Sequence, residues 1–117
     1  MANTKTKLHE RAMKAAEKYI EKTGGTIIDK LDDVLVYEDG YDIAFGKVRV
    51  TKRTMLDDVV YDYRMSRDEF EEVITKVLYD NPDIADALLR FDMIELFVVH
   101  DNRALVRRHI NAGFKED

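Results

Sequence analysis

The nine residues FDMIELFVV, at positions 91–99, carry a strong β-strand signal and decide how the rest of the chain is arranged. Apolar side chains occupy both faces of this strand, which is typical of a central position in a sheet. The Asp101-Asn102 pair then turns the chain into ALVRRHI, which is either a hairpin partner or a terminal helix. We therefore expect a sheet with residues 91–99 near its middle.

The segment before this strand predicts two helices. Ser66 and Glu69 form a capping box, in which the serine oxygen accepts from the glutamate backbone N–H and the glutamate reaches back in return. An apolar stripe at helical spacing follows: Phe70, Val73, Ile74, Val77 and Leu78. Asn81-Pro82 ends this helix and starts a short one that runs to about Arg90, with proline at its first position.

The N-terminal part of the chain predicts a helix followed by strands. Apolar residues repeat at helical spacing from Leu8 to Ile20, and Gly24-Gly25 stops the pattern. The β-prone segments TIID and VLVYE follow, at residues 26–29 and 34–38.

Two further strand-forming stretches, YDIAF and VRVT, lie within residues 41–51. Gly46-Lys47 between them is either a two-residue hairpin turn or a glycine within one long bent strand. The connection at residues 54–64 is expected to be extended or a short strand. This order of elements predicts an α+β layer fold, with one domain over residues 1–117.

Composition limits the class of protein. The 117 residues are 45% hydrophobic and 37% charged, as expected of a globular domain, and the absence of cysteine excludes disulfides and thiolate zinc sites. The N-terminal stretch has no apolar signal-peptide core, and no apolar run is long enough to span a membrane, so we expect a cytoplasmic protein. A net charge of −5 limits nucleic-acid binding to a local cluster of cations.

Residues 90–114, RFDMIELFVVHDNRALVRRHINAGF, resemble the end of the YraN family of endonuclease-like proteins. That family ends in an Arg-Phe-Asp-Val-Val strand and a His-Ile-x-Asn-Ala-Phe tail, which the sequence fits with Gly113 inserted. Residues 15–28, AAEKYIEKTGGTII, are similar to the helix that runs into an Ile-Leu strand in the same family. The two ends of the chain carry nearly all of the specificity of this resemblance.

The resemblance implies a restriction-endonuclease-like core, in which an Asp and a Glu-x-Lys on a central sheet form the catalytic site. Such carboxylates hold a Mg²⁺ that retains waters, while the Lys orients the attacking water or offsets developing charge. Tyr19 aligns with the tyrosine of the family helix, which places the family's helix glutamate at Met13. A cation or an apolar residue in place of an acid should weaken metal binding steeply.

Two registers connect the catalytic motif to this chain. In the first, Asp42 is the catalytic Asp, and Glu-x-Lys falls on Arg49-Val50-Thr51, with Lys52 one position late. In the second, Glu38-Asp39-Gly40 is the hairpin turn of the family, the carboxylate lies near Asp33 or Val34, and Glu-x-Lys falls near Lys47-Val48-Arg49. Because a cation occupies the place of the acid in both, the resemblance implies a retained fold with degenerate chemistry. Asp42 and Lys52 remain the remnant catalytic candidates, and Asp42 a weak candidate metal ligand.

Several cations are candidates for contacts with nucleic-acid phosphates. On a strand, Arg107 and His109 share one face and Arg108 takes the other. With the cations near residue 50 they would make a local positive surface, although a solvated pair at the end of a strand is an equally good explanation of Lys52-Arg53. The predicted nucleic-acid-binding residues are Lys47, Arg49, Lys52, Arg53, Arg107, Arg108 and His109.

Three functions remain open. The first is a nucleic-acid-associated protein that binds DNA or RNA with little or no hydrolysis. The second is a protein-interaction module that captures a protein partner or forms a homodimer. The third is an active endonuclease that uses Asp42, Lys52 and a further carboxylate such as Glu10 or Glu17. No cofactor is expected, except Mg²⁺ or Mn²⁺ if the nuclease activity survives, and no membrane partner is expected.

Overall fold

The computed structural model describes residues 4–52, 64–100 and 103–114, which form two α-helices and one five-stranded sheet. The chain runs through α1 (Thr4–Lys22), β1 (Thr26–Leu31), β2 (Val34–Asp39), β3 (Asp42–Lys52), α2 (Arg67–Asp80), a 3₁₀ helix (Pro82–Ile84), β4 (Leu88–His100) and β5 (Arg103–His109). The five strands follow the order β1-β2-β3-β4-β5 in the sheet. The fold class is therefore α+β, as predicted.

The sheet is mixed. β1, β2 and β3 form an antiparallel meander, β3 and β4 are parallel, and β4 and β5 form an antiparallel hairpin. Parallel neighbours need a crossover connection, and here that connection contains α2. β4 therefore lies between two hydrogen-bonded neighbours, which confirms the inner position predicted for residues 91–99. β5 resolves the alternative for ALVRRHI in favour of a hairpin partner.

β3 is one continuous strand of 11 residues rather than a hairpin. The hairpin turn lies earlier, at Gly40-Tyr41, where Asp39 pairs with Asp42 and Gly40 has a positive φ of 64°. Gly46 lies within this strand, and a side chain at this position would not fit because other side chains already fill the sheet face above it. A Cβ there would lie 2.8 Å from Ile94 Cδ1 and 3.0 Å from Tyr37 Cε1.

Each face of the sheet carries its own apolar core. On the face covered by α1, the α1 face, the buried core residues are Ala12, Met13, Ala16, Ile20, Leu35, Tyr37, Ala44, Val48, Ile94 and Leu96. On the face covered by α2, the α2 face, they are Val34, Val36, Ile43, Phe45, Met65, Phe70, Val77, Ile84, Phe91 and Met93. This alternation between neighbouring positions explains why the inner strands are apolar on both sides.

The helix signals of the sequence are confirmed. α1 ends before Gly24, which has a φ of 97°, and Ser66 caps α2 by accepting a hydrogen bond from Glu69 N at 3.2 Å. Ser66 Oγ also donates to the Glu69 carboxylate at 3.3 Å. None of the helices described is long and apolar enough to cross a membrane.

The short helix predicted to run to about Arg90 is wrong in its length. The 3₁₀ helix ends at Ile84, and residues from Leu88 onward belong to β4. Leu88 and Arg90 pair with Asp42 and Ala44 of β3, so a contact with a distant strand overrides the local helix signal. Of the predicted extended connection at residues 54–64, residues 54–63 lie outside the described residues.

The C-terminal segment folds back on the start of β4. Ala112 N donates to Phe91 O at 2.9 Å, and Arg64 Nη1 donates to Ala112 O at 3.2 Å. The Phe114 ring stacks on Phe91 with centroids 6.0 Å apart and lies 5.2 Å from the Phe70 ring. This contact joins β4, α2 and the C-terminal segment on the α2 face.

Candidate nucleic-acid interface

Four of the predicted cations lie on the α2 face of β3 and β5, the two strands that flank β4. Lys47 and Arg49 of β3 share the parity of Phe45, which packs edge-on against Phe70 of α2 with ring centroids 5.4 Å apart. On β5, Arg107 and His109 point to this same face because they contact the side chains of Phe97 and Glu95. We call Lys47, Arg49, Arg107 and His109 the cation array.

A single carboxylate lies in the middle of the cation array. Glu95 of β4 pairs across the sheet with Arg49 on one side and Arg107 on the other. Its Oε1 lies 3.5 Å from His109 Nε2, and its side chain is 19% exposed. Arg49, Arg107 and His109 therefore flank one acid. Lys47, by contrast, lines a cleft together with Asp33, Glu69, Glu72 and Lys76.

Phe97 gives this surface an aromatic ring. It follows Glu95 by two positions on β4, so it lies on the same face, and the Arg107 guanidinium lies 6.0 Å from its ring centroid. In the next strand it pairs with Leu105, whose side chain is 65% exposed. The sequence analysis missed this ring because it is adjacent to the cations only after β3, β4 and β5 pair.

Arg108 lies on the opposite face, as its parity predicts. Its guanidinium lies 5.9 Å from the centroid of the Tyr37 ring, and its Nη1 is 3.8 Å from the Asp39 carboxylate. Its side chain is only 14% exposed. Arg108 therefore does not belong to the cation array, and the structure separates it from Arg107.

Asp42 and Lys52, the remnant catalytic candidates, lie at opposite ends of β3. Ten residues of extended strand separate their backbones by roughly 33 Å, so the structure does not bring the two together. The Asp42 carboxylate instead accepts a hydrogen bond from Arg90 Nη1 at 3.0 Å. Arg53 lies outside the described residues.

The second register shares only Gly40 with the observed hairpin turn at residues 40–41, because Glu38 and Asp39 belong to β2. It places the family's carboxylate near Asp33 or Val34, and Val34 does pair with Lys47 across the β2–β3 ladder. Asp33 O accepts a hydrogen bond from Val48 N at 2.7 Å. Lys47 and Arg49 thus occupy the middle of the strand beside the start of β2.

The remaining motif positions are structural in character. Met13, at the position of the helix glutamate, is 4% exposed in the core between α1 and the sheet, and Thr51 is 4% exposed. Glu17 lies 3.5 Å from Lys30 Nζ, whereas Glu10 is exposed on α1. Within the described part of the chain, no three His, Asp or Glu side chains are grouped so that they could hold a metal ion.

A second polar cluster lies on the α1 face, at the end of the sheet where β4 begins. Asp92 is fully buried, and its carboxylate accepts hydrogen bonds from Arg90 Nε and Nη2 at 2.9 and 2.8 Å. It also accepts from the Tyr37 hydroxyl and from Asn111 N, the latter at 2.8 Å. We call Tyr37, Arg90 and Asp92 the buried triad.

The buried triad is linked to the turn between β2 and β3. Arg90 Nη2 donates to Asp39 at 2.8 Å, so one guanidinium joins three carboxylates: Asp39, Asp42 and Asp92. Asp92 is the site residue whose role the sequence analysis did not identify. An acid inside an otherwise apolar strand, two positions after an arginine on the same face, is the signal that indicates it.

The surroundings of Tyr37 and Arg90 raise the pKa of both side chains. Burial, together with the hydrogen bond to Asp92, raises the pKa of the Tyr37 hydroxyl above its ordinary value. Hydrogen bonds to Asp92 raise the pKa of the Arg90 guanidinium above its ordinary value. Tyr37 therefore stays a neutral hydrogen-bond donor and Arg90 stays a cation. This arrangement is suited to holding together the neighbouring ends of four strands, β2 to β5.

Comparisons with known proteins do not assign the chain to a family. No protein-family model matches the sequence, and no curated protein matches it. The resemblance to the YraN family therefore stays a prediction, as do the restriction-endonuclease-like core and the catalytic roles of Asp42 and Lys52.

Proposed function

We propose that this protein binds nucleic acid through the cation array and does so without efficient hydrolysis. The observation that carries the proposal is that Lys47 and Arg49 of β3 lie on the same sheet face as Arg107 and His109 of β5, with only β4 between the two strands. A protein of net charge −5 needs such a local concentration of cations to attract phosphates. We propose the cytoplasm as its location.

The architecture supports a nuclease-like scaffold for this function. The order α-β-β-β-α-β, with β3 and β4 parallel, is compatible with a restriction-endonuclease-like core. In the second register, Lys47 and Arg49 stand where that site needs an acid and a lysine. A cation in place of the acid would repel a divalent metal, which supports binding without efficient cleavage. We accordingly propose that binding requires no cofactor.

The number of cations sets the expected salt dependence. Lys47, Arg49 and Arg107 are the permanently charged members of the array, so about three phosphates are neutralised. For a single strand each phosphate contributes roughly −0.7 to the slope of log K against log salt, which gives a slope of about −2. The affinity should then fall about 16-fold between 50 and 200 mM salt.

The test is fluorescence anisotropy with labelled single-stranded and duplex oligonucleotides over this salt range. The variant Lys47→Ala/Arg107→Ala should bind about tenfold more weakly and show a shallower slope, since two phosphate contacts are lost. The matched control is Lys18→Ala/Lys22→Ala, which removes the same charge from exposed positions on α1. Equal losses in the two variants, or binding without salt dependence, would contradict the proposal.

A cleavage assay tests the second half of the proposal. Single-stranded, duplex and branched DNA are incubated with Mn²⁺ beside an EDTA blank and the Asp42→Ala variant. We expect no cleavage by the wild-type protein. Cleavage that disappears in both controls would instead show an active nuclease and would identify Asp42 as part of its site.

The free edge of β5 favours protein interaction as a second candidate function. Among the described strands, β5 has a neighbour on one side only. Leu105 on this strand is 65% exposed, and Ile110 just after it is 53% exposed. Edge strands with apolar side chains are typical sites of strand addition. Sedimentation velocity over a range of protein concentrations tests this function. A homodimer that dissociates in the Leu105→Glu variant would support it, whereas a monomer at every concentration would exclude a homodimer.

A further inference from the structure

The α2 face of β4 and β5 combines an aromatic ring with cations at close range. Thr51, Phe97 and Leu105 form a row across β3, β4 and β5, directly next to the row Arg49, Glu95 and Arg107. Neighbouring strands are about 4.8 Å apart, and residues two positions apart along a strand about 6.6 Å. One nucleotide therefore reaches from the ring to a cation.

We propose that the ligand of this surface is a single-stranded nucleic acid, one base of which stacks on Phe97 while flanking phosphates contact the cation array. This inference rests on the proposed function and specifies the ligand class. Stacking on the half-buried Phe97 ring requires a base that is free on one face, which a single strand offers and a duplex hides. Leu105, exposed beside the ring, extends the apolar floor under the base.

Glu95 determines which part of the ligand lies over β4. A phosphate above β4 would approach the Glu95 carboxylate, whereas phosphates above β3 or β5 meet Lys47 and Arg49 or Arg107 and His109. The charge pattern therefore places the backbone of the ligand over β3 or β5 and leaves β4, which lies between them, for the uncharged base. Phe97 lies on β4, two residues from Glu95.

Arg107 links the two modes of contact. Its guanidinium lies over the Phe97 ring, 6.0 Å from the centroid and at the outer limit of a cation–π contact, so a base that stacks on this ring would also meet the guanidinium. A base–aromatic stack changes affinity about 5- to 150-fold when the ring is removed. Only a ligand with bases gains this increment, which makes the inference separable from phosphate binding.

The experiment compares three probes of equal length: a 12-nucleotide single strand, a base-free phosphodiester strand with abasic positions throughout, and a duplex. We expect the wild-type protein to bind the single strand about tenfold more tightly than the base-free strand or the duplex. Phe97→Leu keeps the apolar volume but removes the ring, and it should abolish the difference between single strand and base-free strand. Circular dichroism confirms that the variant is folded.

Tyr79→Leu is the matched control because Tyr79 is an aromatic side chain that is 87% exposed on α2, outside the array. It should leave the preference for bases unchanged. Equal binding of the single strand and the base-free strand by the wild-type protein would overturn the stacking inference while phosphate binding stands. Tighter binding of the duplex would also overturn it. Salt-insensitive binding, or none, to all three probes would remove the proposed function itself.

Discussion

Asp92 is the carboxylate on which several hydrogen bonds converge inside the protein. Its carboxylate is fully buried and accepts from Arg90, Tyr37 and the backbone of Asn111. Asp92→Ala would leave the Arg90 guanidinium, which is 11% exposed, and the Tyr37 hydroxyl without this partner. Removing one member of a buried ion pair typically costs about 3–5 kcal/mol, so we expect a loss of that order in the free energy of unfolding.

Urea unfolding followed by circular dichroism measures this loss, and the double variant Arg90→Leu/Asp92→Leu provides the control. Both charges are absent in the double variant, so it should be more stable than Asp92→Ala. If the loss in the free energy of unfolding in the double variant equals the sum of the losses in the two single variants, Arg90 and Asp92 contribute independently.

Tyr37 makes the free energy of unfolding of the protein decrease at alkaline pH. Its pKa is raised in the folded protein, so the unfolded chain releases the hydroxyl proton at about pH 10 while the folded chain keeps it. The stabilisation is complete below this pH and declines above it, by up to about 1.4 kcal/mol per pH unit. Between pH 9 and 11 the free energy of unfolding should fall more steeply in wild type than in Tyr37→Phe.

Urea titrations at several alkaline pH values compare the two slopes. The other five tyrosines and the lysines are present in both proteins, so their effects cancel in the difference. Equal slopes in wild type and Tyr37→Phe would mean that Tyr37 ionises as readily in the folded protein as in the unfolded chain.

At the scale of the element, β3 depends on the absence of a side chain at Gly46. In Gly46→Ala the new Cβ would lie 2.8 Å from Ile94 Cδ1, and both Ile94 and the neighbouring Tyr37 are fully buried. Overpacking of this kind typically costs about 1–3 kcal/mol, and we expect the midpoint of urea unfolding to fall accordingly.

Ile94→Val offers a direct control because it removes the Cδ1 atom that the new methyl group would meet. Gly46→Ala should cost less in the Ile94→Val background than in wild type, since the closest contact is gone. The same cost in both backgrounds would place the strain elsewhere, at the Tyr37 ring or in the strand backbone.

The elements also show how far local sequence patterns reach. The dipeptide Gly46-Lys47 fits a hairpin turn and a long strand equally well. The pairing of β3 with β4 decides in favour of the strand, and this pairing joins positions 46 residues apart, such as Asp42 and Leu88. The same ladder converts Leu88–Arg90 from predicted helix to strand. Capping, glycine stops and apolar periodicity are local, and they predicted α1, α2 and β1 correctly.

The sequence analysis named the four cations of the candidate site but neither their arrangement nor their neighbours. Side chains alternate between the two faces along a single strand, and this alternation was enough to place Arg107 and Arg108 on opposite faces. The rule requires no knowledge of the neighbouring strands. The proximity of Lys47 and Arg49 to Arg107, by contrast, depends on β4 lying between β3 and β5. The sequence analysis therefore did not identify Glu95 and Phe97 as members of the surface. It also did not identify Asp92 as the centre of the buried triad.

At the scale of the whole molecule, the cation array acts against a net charge of −5. At 0.1 M salt the screening length is about 10 Å, so a phosphate at the array meets mainly the local cations. At 0.01 M it is about 30 Å, and the acids of the entire protein repel the ligand. We expect the plot of log K against log salt to be linear above about 0.1 M and to flatten at lower salt.

The variant Glu21→Lys/Asp86→Lys tests this whole-molecule effect through anisotropy measurements at both extremes of salt. Each substitution replaces one negative by one positive charge at an exposed position, so the net charge rises by four, from −5 to −1. Binding at 0.01 M salt should strengthen by at least twofold, with little change at 0.2 M. A similar gain at both salt concentrations would indicate local contacts with the new lysines.

The parallel pairing of β3 with β4 also has a consequence during synthesis. The meander of β1, β2 and β3 can close from neighbouring sequence, but the outer edge of β3 has no partner until the residues of β4 have been made, 46 positions later. At 5–20 residues per second this interval lasts roughly 2–9 seconds on the ribosome. The nascent chain therefore carries an apolar strand edge for seconds, and protection of that edge by a chaperone or by rapid docking of α2 governs how much of the protein reaches its folded state.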